Sequence, residues 1–165
     1  MTSPFDDLLS ANEHFAQSFP HADVEGVARA GVAVVTCMDA RIPPLEMLGL
    51  RLGDAKVVRN PGGRVTPVAM EALVLAVNLL GVNRILVVPH TRCAMASSTL
   101  EEMRARVAES SGGDTSEVTF SVVDDQRAAL VEDVEAVRHH PLVPSSVAVG
   151  GFVYDVDTGL LEQLV

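Results

Sequence analysis

With 165 residues, 48% of them hydrophobic, the chain is long enough for one well-buried domain spanning 1–165, and folding at this size buries roughly two thirds of the unfolded surface. A formal charge of -10 argues against nucleic acid and anionic membranes as partners, since both reward clustered Lys and Arg. No apolar stretch is long enough to span a bilayer, and Met1-Thr2-Ser3-Pro4-Phe5-Asp6-Asp7 lacks the basic segment and apolar core of a secretory signal, so the expectation is a cytoplasmic protein acting on a small molecule.

Residues 5 to 18 space Phe5, Leu8, Leu9, Asn12, Phe15 and Phe19 near the helical period. With Ser3-Pro4 as its start, this predicts an amphipathic helical arm within residues 1–28. Gly31 to Thr36 is a short β-branched run suited to a strand buried on both faces. Pro43-Pro44 then opens a helix toward Gly49. Lys56-Val57-Val58 is the second strand and runs into Arg59-Asn60-Pro61-Gly62-Gly63-Arg64. Thr66-Pro67 starts a helix to Leu80 that Gly81 stops, and Arg84 to Val88 is the third strand. Ser97-Ser98-Thr99-Leu100-Glu101-Glu102 carries a capping-box pattern for a helix to about Ala108. Ser110 to Ser116 is a loop, and Val118 to Val123 is open between a strand and an extended connection. Asp124-Asp125 caps a helix through Leu130, Val134 and Val137 that ends before Pro141. Ser146 to Val156, the turn Asp157-Thr158-Gly159 and Leu160 to Leu164 predict a terminal hairpin. The alternation gives an α/β fold: a mostly parallel central sheet flanked by helices, with an N-terminal helical arm and a C-terminal hairpin.

Both cysteines of the chain, Cys37 and Cys93, follow apolar runs. Two strand ends therefore deliver two thiols, the His90 imidazole, a carboxylate and a guanidinium to the side of the sheet where ligands bind. In a reducing compartment such thiols are more often free or metal-bound than paired in a disulfide, and His90 tips the balance toward metal. Zinc takes thiolate sulfur and imidazole nitrogen tetrahedrally. His90 and Cys93 are close enough in sequence for one turn to bring both to an ion, while Cys37 comes from the adjacent strand end. No third cysteine closes the site, so the fourth position falls to water or to Asp39. Zinc brings the pKa of a bound water to about 7, which is hydration or hydrolysis chemistry. Asp39 and Arg41 alternate after Cys37 and can pair through the forked guanidinium, keeping Asp39 ionised and oriented to accept the hydrogen of a zinc-bound hydroxide. If that pair breaks, Asp39 can ligate zinc and close the site. Exchange between the two states is a switch that pH could drive.

Cys-x-Asp-x-Arg at Cys37, Asp39 and Arg41, with His-x-x-Cys at His90 and Cys93, resembles the β-carbonic anhydrases. Together the two motifs are specific; either alone is weak. The likeness continues through Arg59-Asn60, Gly62-Gly63, the helix after Thr66 and the segment Gly151 to Gly159, covering most of residues 31 to 160. The short chain is similar to the compact archaeal and actinobacterial branch. The resemblance implies one zinc per chain, held by Cys37, His90 and Cys93, with catalytic roles for Asp39 and Arg41 and substrate contacts from Asn60 and Gly62. It also implies reversible hydration of carbon dioxide to bicarbonate and a proton, in a homodimer or homotetramer whose N-terminal helices embrace a partner. The chain departs from the family pattern at Arg92 and Ala94, which flank Cys93, and at Pro61 and Pro89. None of these removes a ligand, but Arg92 adds positive charge near the metal and Ala94 a methyl where backbone approaches closely.

Blander readings stand beside these. Cys37 or Cys93 alone would be a buried inert thiol, Asp39 with Arg41 a turn-stabilising ion pair, and Gly62-Gly63 a tight turn. Without a fuller glycine fingerprint it is a poor phosphate loop. His139-His140 suits a solvated helix end or a proton shuttle. Two alternatives keep the zinc site: hydrolysis of carbonyl sulfide or carbon disulfide, and a zinc-binding paralogue without catalysis.

Overall fold

In this computed structural model, which describes residues 3–165, the sheet is built outward from a strand that water does not reach. Every residue of β1 (Val32–Cys37) is buried, as its β-branched sequence requires of a strand covered on both faces. The polar member, Thr36, is satisfied by donating from Oγ1 to the Val88 carbonyl at 2.7 Å. On one side β1 pairs in parallel with β2 (Ala55–Asn60), on the other with β3 (Arg84–Val88). Next to β3 lies β4 (Ala148–Tyr154), again parallel, and β5 (Leu161–Gln163) closes the sheet antiparallel to β4. The order is β2-β1-β3-β4-β5, and the last two strands form the expected hairpin.

Four helices accompany the sheet: α1 (Asp6–Gln17), α2 (Pro67–Leu79), α3 (Leu100–Ser111) and α4 (Gln126–Arg138). Leu73, Ala69 and Ala76 of α2 and Leu130, Val134 and Val137 of α4 pack with Ala33, Val35, Ile85 and Val87 in one core cluster. The alternate strand residues Val32, Val34 and Val88 belong to a second cluster with Ile42, Cys93 and Tyr154. Met47, Leu48 and Leu50 of the segment after β1 cover that cluster. Burying a side chain such as Leu73 contributes roughly 2 kcal/mol. By contrast α1 buries none of its residues.

Local signals in the sequence are honoured with few shifts. Thr99 caps α3 in a capping box with Glu102, Thr66 caps α2, and Asp125 accepts from the backbone N–H groups of Arg127 and Ala128 at the start of α4. The helix expected at Pro43-Pro44 shrinks to one 3-10 turn, Glu46–Leu48, because Gly49 takes a left-handed conformation (φ 67°) before a second turn can form. Helix α3 outruns its expected end at Ala108 and stops at Gly112, which is left-handed with φ 69°. Residues 118–123 form no strand. They are an extended connection, tied down where the Val123 N–H donates to the Met95 carbonyl at 2.8 Å.

Parallel register places the carboxyl ends of β1 and β2 side by side, with Cys37 opposite Asn60. The chain beyond β3 follows the same direction to His90, which bridges to Tyr154 of β4. Between β2 and α2, Gly63 has φ 68°, and a Cβ there would lie 2.9 Å from the Cys37 amide nitrogen. Only glycine lets this turn rest on the strand end. Gly63→Ala is therefore expected to lose at least about 2 kcal/mol of unfolding free energy in urea titration, combining left-handed strain with a backbone clash. Gly49→Ala, which meets nothing within 4 Å, should lose about 1 kcal/mol from the conformational cost alone.

Candidate metal centre

Cys37 stands at the end of β1, and His90 and Cys93 stand two and five residues beyond β3. Their ligating atoms all lie within 4.8 Å of one another, and all three side chains are buried. The turn between His90 and Cys93 passes through Arg92 in a left-handed conformation (φ 56°), the single non-glycine residue of this kind among those described. The hairpin holds this turn in place. Thr91 N–H donates to the Tyr154 carbonyl at 2.9 Å, Val156 N–H donates to Thr91 Oγ1 at 3.1 Å, and the Arg92 guanidinium pairs with Asp157 at 2.7 Å.

The hydrogen bonds of His90 define which nitrogen is free. Nδ1 faces the Thr91 carbonyl at 2.8 Å, an acceptor only, so Nδ1 carries the proton and Nε2 keeps its lone pair. Nε2 is the single buried side-chain N or O atom among the described residues with no hydrogen-bond partner. Burial lowers the His90 pKa and so favours the neutral ring that ligates metals. Burial likewise raises the Cys93 pKa, with the neighbouring Cys37 adding to it. A divalent cation reverses that cost, since a coordinating thiol loses its proton outright. Two sulfurs and one imidazole nitrogen suit zinc. The donor set and the partnerless Nε2 fit that ion.

Beside the three donors, Asp39 is gripped by Arg41. Arg41 Nε donates to Oδ1 at 2.9 Å and Nη2 to Oδ2 at 2.7 Å, while the Arg41 backbone N–H also donates to Oδ1 at 2.9 Å. The guanidinium bonds first, and the backbone bond after them, hold the Asp39 carboxyl far below the usual carboxylate range against the opposing effect of burial. Its Oδ2 lies 3.9 Å from His90 Nε2, so a fixed carboxylate borders the donor cluster while remaining bound to Arg41.

A cavity of about 210 Å³ opens on this group, lined by Cys37, Asp39, His90 and Cys93 and walled by Met38, Pro61, Gly62, Ala94 and Met95. Of the two residues expected to contact substrate, Gly62 lines the cavity. Asn60 does not; its side chain closes the turn below, Nδ2 donating to the Arg64 carbonyl at 2.7 Å and Oδ1 accepting from the Arg64 N–H at 2.9 Å. His139 and His140 lie at the far end of α4 and line no part of this cavity.

Several contributors carry little signal in sequence. Arg59 of β2 donates from Nε to the Cys37 carbonyl at 3.0 Å and from Nη2 to the Asp39 carbonyl at 2.6 Å, clamping the backbone that carries a donor and the carboxylate. Gln126 at the start of α4 donates from Nε2 to the His90 carbonyl at 3.1 Å. Arg59 was visible in its motif, but without a role. Gln126 is separated from His90 by 36 residues and has no motif around it.

A parallel sheet that gathers two thiols, an imidazole and an ion-paired aspartate at its carboxyl edge has the architecture of a zinc enzyme. The carbonic anhydrase family model matches residues 32–161. Beta-carbonic anhydrase 1 of Mycobacterium tuberculosis is 31% identical over 162 residues, covering 96% of each chain. A carbonic anhydrase structure from Streptococcus mutans superposes with a TM-score of 0.87 at 33% identity, covering 100% of this chain and 99% of that one. A carbon disulfide hydrolase of Acidithiobacillus thiooxidans is 30% identical over 178 residues, covering 93% of this chain and 81% of that protein. The chain belongs to the β-carbonic anhydrase family, whose metal is zinc.

Zinc content tests the donor assignment directly. Purified protein is expected to carry one zinc per chain by elemental analysis, and Cys93→Ser and His90→Ala to retain far less after identical dialysis. Full zinc occupancy in both variants would remove them from the coordination sphere.

Proposed function

We propose that the chain catalyses the zinc-dependent reversible hydration of carbon dioxide to bicarbonate and a proton, with Cys37, His90 and Cys93 as metal ligands and Asp39 and Arg41 as the catalytic pair. The observation that carries this reading is the forked Asp39–Arg41 pair beside the donor cluster, at the mouth of an apolar cavity. When bound, zinc supplies the Lewis acidity that makes a hydroxide nucleophile available near neutral pH. The chain's own residues do the rest. Asp39, ionised by Arg41, accepts the hydrogen of the attacking hydroxyl and so turns its lone pair into the cavity. Met38, Gly62 and Met95 offer a small apolar wall that suits a linear, uncharged substrate. Arg59 keeps the backbone beneath Cys37 and Asp39 from drifting, which matters because small misplacements of a reacting geometry are costly.

Asp39→Asn removes the charge and turns one oxygen into a donor. It is expected to lower kcat/KM for carbon dioxide by about 100-fold or more while zinc content holds, a loss in the range of general acid–base groups. Wild-type turnover at equal zinc content would refute the role of Asp39.

The same apolar walls, together with a relative named carbon disulfide hydrolase, support hydrolysis of carbon disulfide or carbonyl sulfide as a second reading. Sulfide release faster than bicarbonate formation under matched conditions would favour it. Zinc-loaded protein inert toward all three substrates would instead indicate a binding or regulatory paralogue.

Assembly as a homodimer or homotetramer is supported by α1. A helix of 12 residues is marginal alone in water, yet this one buries nothing in its own chain, and its N-cap Phe5 and its Leu8, Leu9 and Phe15 are exposed at 55% or more. A second copy supplies the missing apolar surface. Sedimentation of the full chain is expected to show a dimer or larger, and Leu8→Glu with Phe15→Glu to shift it toward monomer; an unchanged assembly would place the interface elsewhere. The compartment we infer is the cytoplasm, where the free, buried Cys37 and Cys93 remain reduced and available as ligands. No helix among the described residues is long and apolar enough to cross a membrane.

A further inference from the structure

The most buried carboxylate outside the metal centre is on α4. Asp133 is 6% exposed, and its partner is distant in sequence: Arg64 Nε donates to Oδ2 at 2.6 Å and Nη2 to Oδ1 at 3.1 Å. Arg64 directly follows the turn Pro61–Gly63, and its backbone is bound at both N–H and carbonyl by the Asn60 side chain. The upper side of this turn supplies Pro61 and Gly62 to the cavity wall. A Cβ placed on Gly62 would meet Met95 Cβ at 3.3 Å, so the turn packs directly against Met95 and the two together form one side of the cavity wall.

The same helix also reaches the metal side. Gln126 and Asp133 are seven residues apart, two turns along one helix face. Gln126 bonds the His90 carbonyl at the metal side, and the connection leading into α4 bonds Met95 through Val123. Helix α4 can sit this close to the sheet because β4 presents Gly151 to it, where a Cβ would stand 3.0 Å from Leu130 Cγ and Val134 Cγ2. One rigid element thus grips the donor strand at one point and the substrate turn at another.

We propose that Arg64 and Asp133 are positioning residues that hold the Pro61–Gly63 turn against Met95 and thereby fix the position of that wall of the substrate cavity. The assignment rests on the carbonic anhydrase reading for its substrate, but the mechanical part stands on the chain's own contacts. A bidentate guanidinium–carboxylate pair gives direction as well as attraction. Once either partner is lost, the turn keeps its glycines and its Asn60 bonds but is no longer tied to α4. Neither residue touches substrate; both act through Gly62.

The test compares wild type, Asp133→Asn, Arg64→Gln, Arg64→Lys and the double variant Arg64→Gln with Asp133→Asn, all as full-length zinc-loaded protein. Two readings are taken, amide hydrogen exchange across residues 55–70 and carbon dioxide hydration by stopped flow. Exchange at Gly62 and Gly63 is expected to quicken about tenfold in Asp133→Asn while β1 exchanges as before, the mark of a local opening and not a global one. kcat/KM should fall about tenfold, since a displaced wall acts on the carbon dioxide step, with kcat at saturating buffer within about twofold of wild type. Arg64→Lys, which keeps the charge but not the fork, should recover part of the loss. The double variant should be no worse than the poorer single one, because the two act as a unit.

Unchanged exchange at Gly62 and Gly63 in both Asp133→Asn and Arg64→Gln overturns the proposal, whatever the kinetics show. Faster exchange with wild-type kcat/KM overturns it too, leaving a structural tie. A proportional fall of kcat, kcat/KM and bound zinc assigns the pair to the scaffold and has the same consequence. If zinc-loaded wild type fails to hydrate carbon dioxide at all, the functional reading fails, and the exchange measurement still decides whether the pair holds the turn.

Discussion

A buried imidazole nitrogen without a hydrogen-bond partner is the constraint on which this molecule turns. Leaving such a group dry and unpaired costs about 1–3 kcal/mol, and here two buried thiols lie within 4.8 Å of it. The surroundings hold His90 Nε2 in place. Its ring is fixed by the bond to the Thr91 carbonyl, and the nearest carboxylate is bound to Arg41. A cation that takes sulfur and nitrogen removes the cost and makes the thiolates favourable at once. Metal binding is therefore coupled to the stability of the sheet's carboxyl edge, as in other sites whose ligands come from separate elements.

Parallel pairing is what makes such a cluster possible from residues more than fifty positions apart in sequence, Cys37 and His90. Strands that run the same way end on the same side, so the register of β1 against β2 and β3 decides which residues meet. Cys37 faces Asn60 across one pair, and Thr36 faces Val88 across the other, two residues before His90. A slip of one residue would turn every buried side chain of β1 to the wrong face. The even distribution of Val32, Val34, Ala33 and Val35 between two core clusters holds that register, so apolar packing remote from the metal sets the geometry at it.

Much of this was legible from the chain alone, and the reasons are physical. Strands β1 and β3 are short apolar runs bounded by turn signals, and helices α2, α3 and α4 carry Thr or Asp caps whose side chains bind the first turn in the structure as their chemistry predicts. The donor residues were legible because they follow directly from strand ends in an α/β fold. Shorter-ranged errors arose at helix ends: Gly49 ends a turn before it becomes a helix, and α3 continues past Ala108 until the left-handed Gly112 stops it. Asn60 shows a different limit. Its place in a motif marked it as important, but only the fold reveals that its amide bonds are given to Arg64 and not to the cavity. Arg64 with Asp133 and Gln126 with His90 were out of reach, being single pairs separated by 69 and 36 residues with no periodic pattern to announce them.

Charge is organised in the opposite sense locally and globally. The chain carries a formal -10, yet Arg41, Arg59 and Arg92 all brace the segments that build the metal centre. Each has a defined partner: Arg41 holds Asp39, Arg59 holds two carbonyls, and Arg92 holds Asp157 on the hairpin. The guanidinium groups thus serve as rigid forks first and as positive charges second, a use for which lysine is poorly suited. The Arg92 side chain is more exposed than that of Arg41, at 60% against 41%, and its left-handed backbone commits it to the turn between two donors. A lone surface ion pair contributes little to stability. Its place here follows from geometry, because the hairpin that carries Asp157 also carries Tyr154, whose backbone bonds Pro89 and Thr91 on either side of His90.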